Sequence, residues 1–125
     1  MKLITAVIRS YQLPAVRAAL YDREISKITI SNILGSVQED KQSDSTSQDD
    51  TEIHELQYRG AVRKIHTRQR TRVEVAVAEE LVETAIEAIS GAARTGEMGD
   101  GIIFITDIHD WVNIRTGERG SKTSD

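Results

Sequence analysis

A chain of 125 residues with 38% hydrophobic and 29% charged residues fits one soluble globular domain, 1–125, and is short for more than one core. A formal net charge of −4 argues against whole-surface binding to nucleic acid or anionic lipid, and the lack of cysteine removes disulfides, thiolate metal sites and cysteine nucleophiles. With 4% aromatic residues a lone subunit of this size is marginal, so oligomerisation is expected; no stretch approaches the roughly 18 apolar residues of a spanning helix, which fits a cytoplasmic setting without membrane insertion.

Leu3 to Ile8 is short, apolar and rich in β-branched residues, which predicts a first strand, and the N-terminus lacks the long apolar core of a signal peptide. Leu13, Val16 and Leu20 recur at helical spacing. Pro14 stands near the start, where its fixed φ and missing N–H do no harm, so a helix is predicted over Leu13 to Glu24. Ile28 and Ile30 alternate with Thr29 and Ser31 ahead of Ile33 and Leu34, a second strand ending near Gly35, where a turn or a close backbone approach is expected. From Gln38 to Thr51 there is no apolar residue, so this segment cannot bury itself.

From Val62 the pattern is β again. Val73, Val75 and Val77 share one parity, and Lys64, His66, Arg68, Arg70, Arg72 and Glu74 the other, which makes a long third strand with a basic stripe. Leu81, Val82, Ala85, Ile86 and Ile89 predict a second helix, ended by Gly91 or by the glycine cluster Thr95 to Gly101. Ile102 to Ile105 and Val112 to Arg115 are expected as two further short strands. The order strand, helix, strand, strand, helix, strand is the split βαβ arrangement, a ferredoxin-like α+β fold whose antiparallel sheet carries both helices on one face.

Thr95-Gly-Glu-Met-Gly-Asp-Gly101 places three glycines in seven residues between a helix end and a strand. Such a loop lets backbone N–H groups converge on an anion without side-chain obstruction, so a phosphate cradle is one reading. An ordinary glycine-rich connection capping the helix is the other.

The stretch Arg94 to Phe104, followed by Asn113-Ile-Arg-Thr-Gly-Glu118, resembles the C-terminal signature of the PII signal-transduction family. Tyr58-Arg-Gly-Ala61 resembles the short motif within that family's T-loop, and Met1 to Ala19 has the family's spacing. The resemblance covers the chain except Val37 to Leu56, and it implies a T-loop at about 37–61. It also implies a non-enzymatic regulator that is a homotrimer with an adenine nucleotide, ADP, AMP or ATP, in clefts between subunits. Its T-loop would contact a membrane transporter or a metabolic enzyme in nitrogen or inorganic-carbon metabolism. By resemblance Gly99, Asp100, Gly101 and Arg115 meet the phosphates, Thr29, Gly35, Ser36 and Val37 surround the adenine and ribose, and Glu74 and Ala76 lie nearby.

Departures from the family pattern narrow the ligand. Ile102 stands where the family has a phosphate-binding lysine, and Asn113 where it has the first arginine of an Arg-x-Arg pair. Charge-assisted hydrogen bonds to phosphate contribute roughly 1.5 to 3 kcal/mol each, so the loss falls most heavily on a triphosphate, and ADP or AMP should bind at least as well as ATP. Glu39 replaces the family's glutamine for magnesium and 2-oxoglutarate, and Arg70 its 2-oxoglutarate lysine. Glu39 would repel a dicarboxylate, whereas Arg70, with Arg68 and Arg72 near it, suits a smaller anion such as bicarbonate. The loop positions at which family members are uridylylated or phosphorylated hold Arg63 and Ala61, which excludes that covalent route, and Tyr58 reads as a packed loop anchor.

The basic stripe invites a nucleic-acid reading, but no aromatic residues interleave it, and a solvated face pairing with Glu39, Asp40, Asp49 and Asp50 or a small-anion role is preferred. His54, His66 and His109 are scattered and read as surface histidines rather than metal ligands. Asp100, Asp107 and Asp110 lack an accompanying nucleophile or metal motif, so nucleotide hydrolysis is disfavoured.

Overall fold

The computed structural model describes residues 1–38, 51–58 and 61–120, with side chains described for 1–35 and 67–120. Its strands are β1 (Lys2–Arg9), β2 (Thr29–Gln38), β3 (Thr51–Tyr58), β4 (Ala61–Val77) and β5 (Gly101–Asp107), and its helices α1 (Leu13–Asp22) and α2 (Val82–Ala93). The sheet runs β2-β4-β1-β5, every pairing antiparallel, and β3 pairs with the part of β4 that extends beyond β1. The split βαβ order expected from the sequence is the order found.

Alternation decides which face of the sheet is covered. Ile4, Ala6 and Ile8 of β1 and Val73, Val75 and Val77 of β4 are buried against Val16 and Leu20 of α1 and Ala85, Ala88, Ile89 and Ala93 of α2. Each buried aliphatic side chain contributes about 1.5 to 3 kcal/mol, and the alanines on α2 and β1 let helix and sheet approach closely. The opposite parity forms an open face. Across it, register sets Thr29 beside Glu74, Ser31 beside Arg72, Ile33 beside Arg70 and Gly35 beside Arg68. Thr5 then lies beside Glu74 and Phe104, Val7 beside Arg72 and Ile102, and Arg9 beside Arg70. Ile102 and Phe104 are about half exposed there, an apolar surface that a single chain leaves uncovered.

Four expectations need correction. α1 stops at Asp22 rather than Glu24, because Glu24 takes a left-handed φ of 62° and the chain turns back: its N–H reaches the Tyr21 carbonyl (2.9 Å) and that of Ile25 the Leu20 carbonyl (2.9 Å). Gly35 marks neither a turn nor a close approach. It lies inside β2, and a Cβ there would sit 4.0 Å from the Arg68 carbonyl oxygen, ordinary contact. Thr51–Tyr58, within the segment expected as loop, is strand β3, since the overhanging half of β4 offers it a partner edge. Val112–Arg115 is not a strand: a single bridge joins Val112 to Arg119 around a turn.

In that turn the Asn113 side-chain oxygen accepts the N–H groups of Arg115 (3.0 Å) and Thr116 (3.1 Å), and its carbonyl accepts that of Gly117 (2.7 Å). Such local bonding competes with strand pairing. α2 runs through Gly91 and ends at Ala93, where Arg94 becomes extended and the glycine cluster begins. The expectation for the polar stretch Gln38 to Thr51 lies, apart from its two ends, outside the described residues.

Candidate functional site

The glycine loop between α2 and β5 is organised by its own aspartate. Asp100 accepts the backbone N–H groups of Thr95 (2.8 Å) and Gly96 (2.9 Å) and the Thr95 hydroxyl, and Thr95 Oγ1 in turn accepts the Glu97 N–H (3.1 Å). Those donors hold the Asp100 carboxyl down at about 2, the Thr95 hydroxyl first and its N–H next, with Gly96 and Arg9 adding to them. Two of the N–H groups expected to converge on an external anion therefore converge on Asp100. Positive φ at Gly96 (89°), Gly99 (96°) and Gly101 (118°) makes the path possible. At Gly101 a Cβ would lie 1.9 Å from the Val7 carbonyl oxygen, so only glycine lets the loop enter β5 against β1.

Arg9 fastens this loop to the sheet. Its Nη2 donates to the Met98 carbonyl (2.8 Å) and its Nε lies 3.5 Å from Asp100 Oδ1. Arg9 was not among the residues singled out in the sequence, where it is one cation at the end of an apolar run. Register brings it opposite Arg70. Arg68 arrives from the next position of the same parity on β4, so three arginines from two strands share one end of the open face, and the tips of Arg9 and Arg68 lie beside Gly99. The basic stripe is thus not the uniformly solvated face considered above: Arg70 is buried and Arg68 half-buried, whereas Arg72 is exposed and donates to Ser31 Oγ (3.2 Å). The side chains of Lys64 and His66 lie outside the described residues.

The residues assigned by resemblance fall into separate groups. Gly35, Ser36 and Val37 pair with Arg68, Thr67 and His66 at the arginine end. Thr29 and Ala76 lie toward the other end with Glu74, which accepts the Thr5 hydroxyl (3.1 Å). From Arg68 to Glu74 is roughly 20 Å along the strand, too far for one small ligand to touch both groups of a single chain. Arg115 is exposed on the C-terminal turn, which Asp110 anchors by accepting two bonds from Arg119 (2.9 and 2.7 Å). Behind the glycine loop a cleft of about 280 Å³ opens between the last turn of α2 and β5, lined by Ile89, Ala93 and Ile103 among others. Among the described residues no group of His, Asp and Glu side chains is arranged to hold a metal ion, and no helix is long and apolar enough to cross a membrane.

The family model for nitrogen regulatory protein P-II matches residues 1–118. Proteins named nitrogen regulatory protein P-II are similar over nearly the whole chain: that of Azospirillum brasilense is 38% identical over 120 residues (96% of each chain), and that of Rhizobium etli 37% over 122 residues (98% of each). The Microchaete diplosiphon protein is 34% identical over 122 residues. A split βαβ sheet with a glycine loop at one end of its open face defines a small α+β domain of the ferredoxin-like class. This chain belongs to the nitrogen regulatory P-II family.

Proposed function

We propose that this chain is a trimeric signalling subunit that binds an adenine nucleotide, ADP or AMP at least as well as ATP, and regulates a transporter or metabolic enzyme through its T-loop at about 37–61. The observation that carries this reading is the separation of the resemblance-derived residues into an arginine and glycine-loop end and a Thr29, Glu74 and Ala76 end. A symmetric neighbour laid against the open face can bring one end of its sheet to the other end of this one, and it would also cover Ile102 and Phe104. The adenine then rests on the Thr29 end of one subunit and the phosphates on the glycine loop of the next.

Two features favour a short phosphate chain. Ile102 presents an aliphatic side chain on the open face, and the Asn113 side chain is engaged by its own turn. With fewer cations at the outer phosphate, a γ-phosphate loses hydration and gains little in return. The test is calorimetric titration with ATP, ADP and AMP, each with and without magnesium, 2-oxoglutarate or bicarbonate, on protein whose mass is fixed by light scattering. The expected result is a trimer that binds ADP without turning it over. A monomer, or a strong preference for ATP with magnesium and 2-oxoglutarate, would contradict it.

A further inference from the structure

We infer that Arg68, with Arg9 beside it, forms an oxyanion-binding floor under the glycine loop and takes the last phosphate of the bound nucleotide; this rests on the nucleotide reading above. Both guanidinium groups crowd one point of the backbone. A Cβ built on Gly99 would lie 3.0 Å from Arg9 Nη2 and 3.7 Å from Arg68 Nη1. The bare glycine is what leaves a passage to them, and a side chain there would close it.

The two arginines differ in what already holds them. Arg9 has the Met98 carbonyl and the Asp100 carboxylate. Asp100 is in turn engaged by Thr95 and Gly96, so its charge is directed into the loop. Arg68 has no comparable acceptor among the described residues: its Nε, like that of Arg9, is shut off from solvent and makes no hydrogen bond there, but it lacks even the 3.5 Å approach to a carboxylate that Arg9 Nε has. A guanidinium N–H shut off from water and left unanswered is costly even where the rest of the side chain is half-exposed, and two like charges pressed against one loop repel. An oxyanion between them relieves both, and the planar guanidinium fork suits two oxygens of one phosphate. The position also explains how phosphate affinity survives with Ile102 and Asn113 where cations are otherwise expected: the charge comes from the sheet floor instead of from β5 and the C-terminal turn.

The chemistry is that of a phosphate-type oxyanion, from a nucleotide or free in solution, and separate titrations distinguish the sources. ADP, adenosine and inorganic phosphate are titrated into wild type, Arg68→Leu and Arg68→Lys, with assembly mass and melting temperature recorded for each. Arg68→Leu should weaken ADP about tenfold or more and leave adenosine unchanged, and Arg68→Lys should recover part of the loss. In the wild type, the Arg68 Nε–H resonance should move on addition of ADP, a readout that needs no variant. The inference is overturned if that resonance stays fixed, if Arg68→Leu binds ADP as wild type does, or if ADP and adenosine weaken equally. Should the wild type bind inorganic phosphate through Arg68 but no nucleotide, the anion floor stands and the nucleotide reading falls; binding of neither overturns both.

Discussion

The glycine loop and the C-terminal turn use the same local device with different anchorage. In each a polar side chain captures backbone N–H groups two to five residues away: Asp100 takes those of Thr95 and Gly96, Asn113 those of Arg115 and Thr116. The loop is also tied to the sheet, by Arg9 and by the close passage of Gly101 against Val7. The turn is held by Asp110, Arg119 and the Trp111 carbonyl, all within its own stretch of chain. A glycine-rich motif therefore says little about rigidity until its neighbours are known. The loop is a fixture of the fold, and the turn is a local hairpin that can be edited with little effect on the core.

Substitutions break this comparison in a definite order. Gly101→Ala should destabilise by at least ~3 kcal/mol, since its Cβ would overlap the Val7 carbonyl at a left-handed φ, and the melting temperature should fall by roughly 10 °C or more. Asp100→Asn should be next in consequence and specific in pH. The folded carboxyl titrates near 2, below the ordinary value of about 3.9, so its contribution is complete above about pH 4 and is lost as pH falls through 2. Melting curves collected between pH 2 and 5 should lose part of their slope in the variant; an unchanged slope would mean that Asp100 does not organise the loop.

Gly99→Ala should cost about 1 to 2 kcal/mol, from φ +96° and from the displacement of the Arg9 tip. Gly117→Ala in the turn, at φ +76° but with nothing within 4 Å, should cost about 1 kcal/mol by denaturant titration. Asn113→Ala should be smallest, roughly 0.5 to 1 kcal/mol, because its bonds are exposed. Equal losses at Gly101 and Gly117 would remove the distinction between the two regions.

Periodicity made most of the fold legible. The strands β1 and β4 and both helices each carry an apolar repeat that packing needs, with Val73, Val75 and Val77 the plainest case, and β2 and β5 were marked by their β-branched residues. β3 was not legible, since Ile53 and Leu56 fall on opposite parities and its order comes from the overhanging edge of β4. The false strand at Val112–Arg115 arose from two β-branched residues around Asn113, whose side chain favours a turn instead.

At the site, the glycines were visible as glycines, but Arg9 was not: its meaning depends on register, which sets it across from Arg70, and on the return of the loop over it. The parity of Arg9, opposite to that of Ile4, Ala6 and Ile8, was the signal available. That Asp100 closes the loop on itself also depended on three-dimensional placement.

The central claim, that each nucleotide site joins opposite ends of two different subunits, is tested most directly by mixing two disabled chains. Gly99→Asp puts a carboxylate into the cradle, and Ala76→Trp fills the other end; each variant alone should bind no ADP. Co-assembled in equal amounts, each trimer interface can draw an intact cradle from one variant and an intact Thr29 end from the other. About a quarter of the sites should then recover ADP binding with wild-type affinity. No recovery from the mixed assembly would place both halves of the site in one chain and contradict the account.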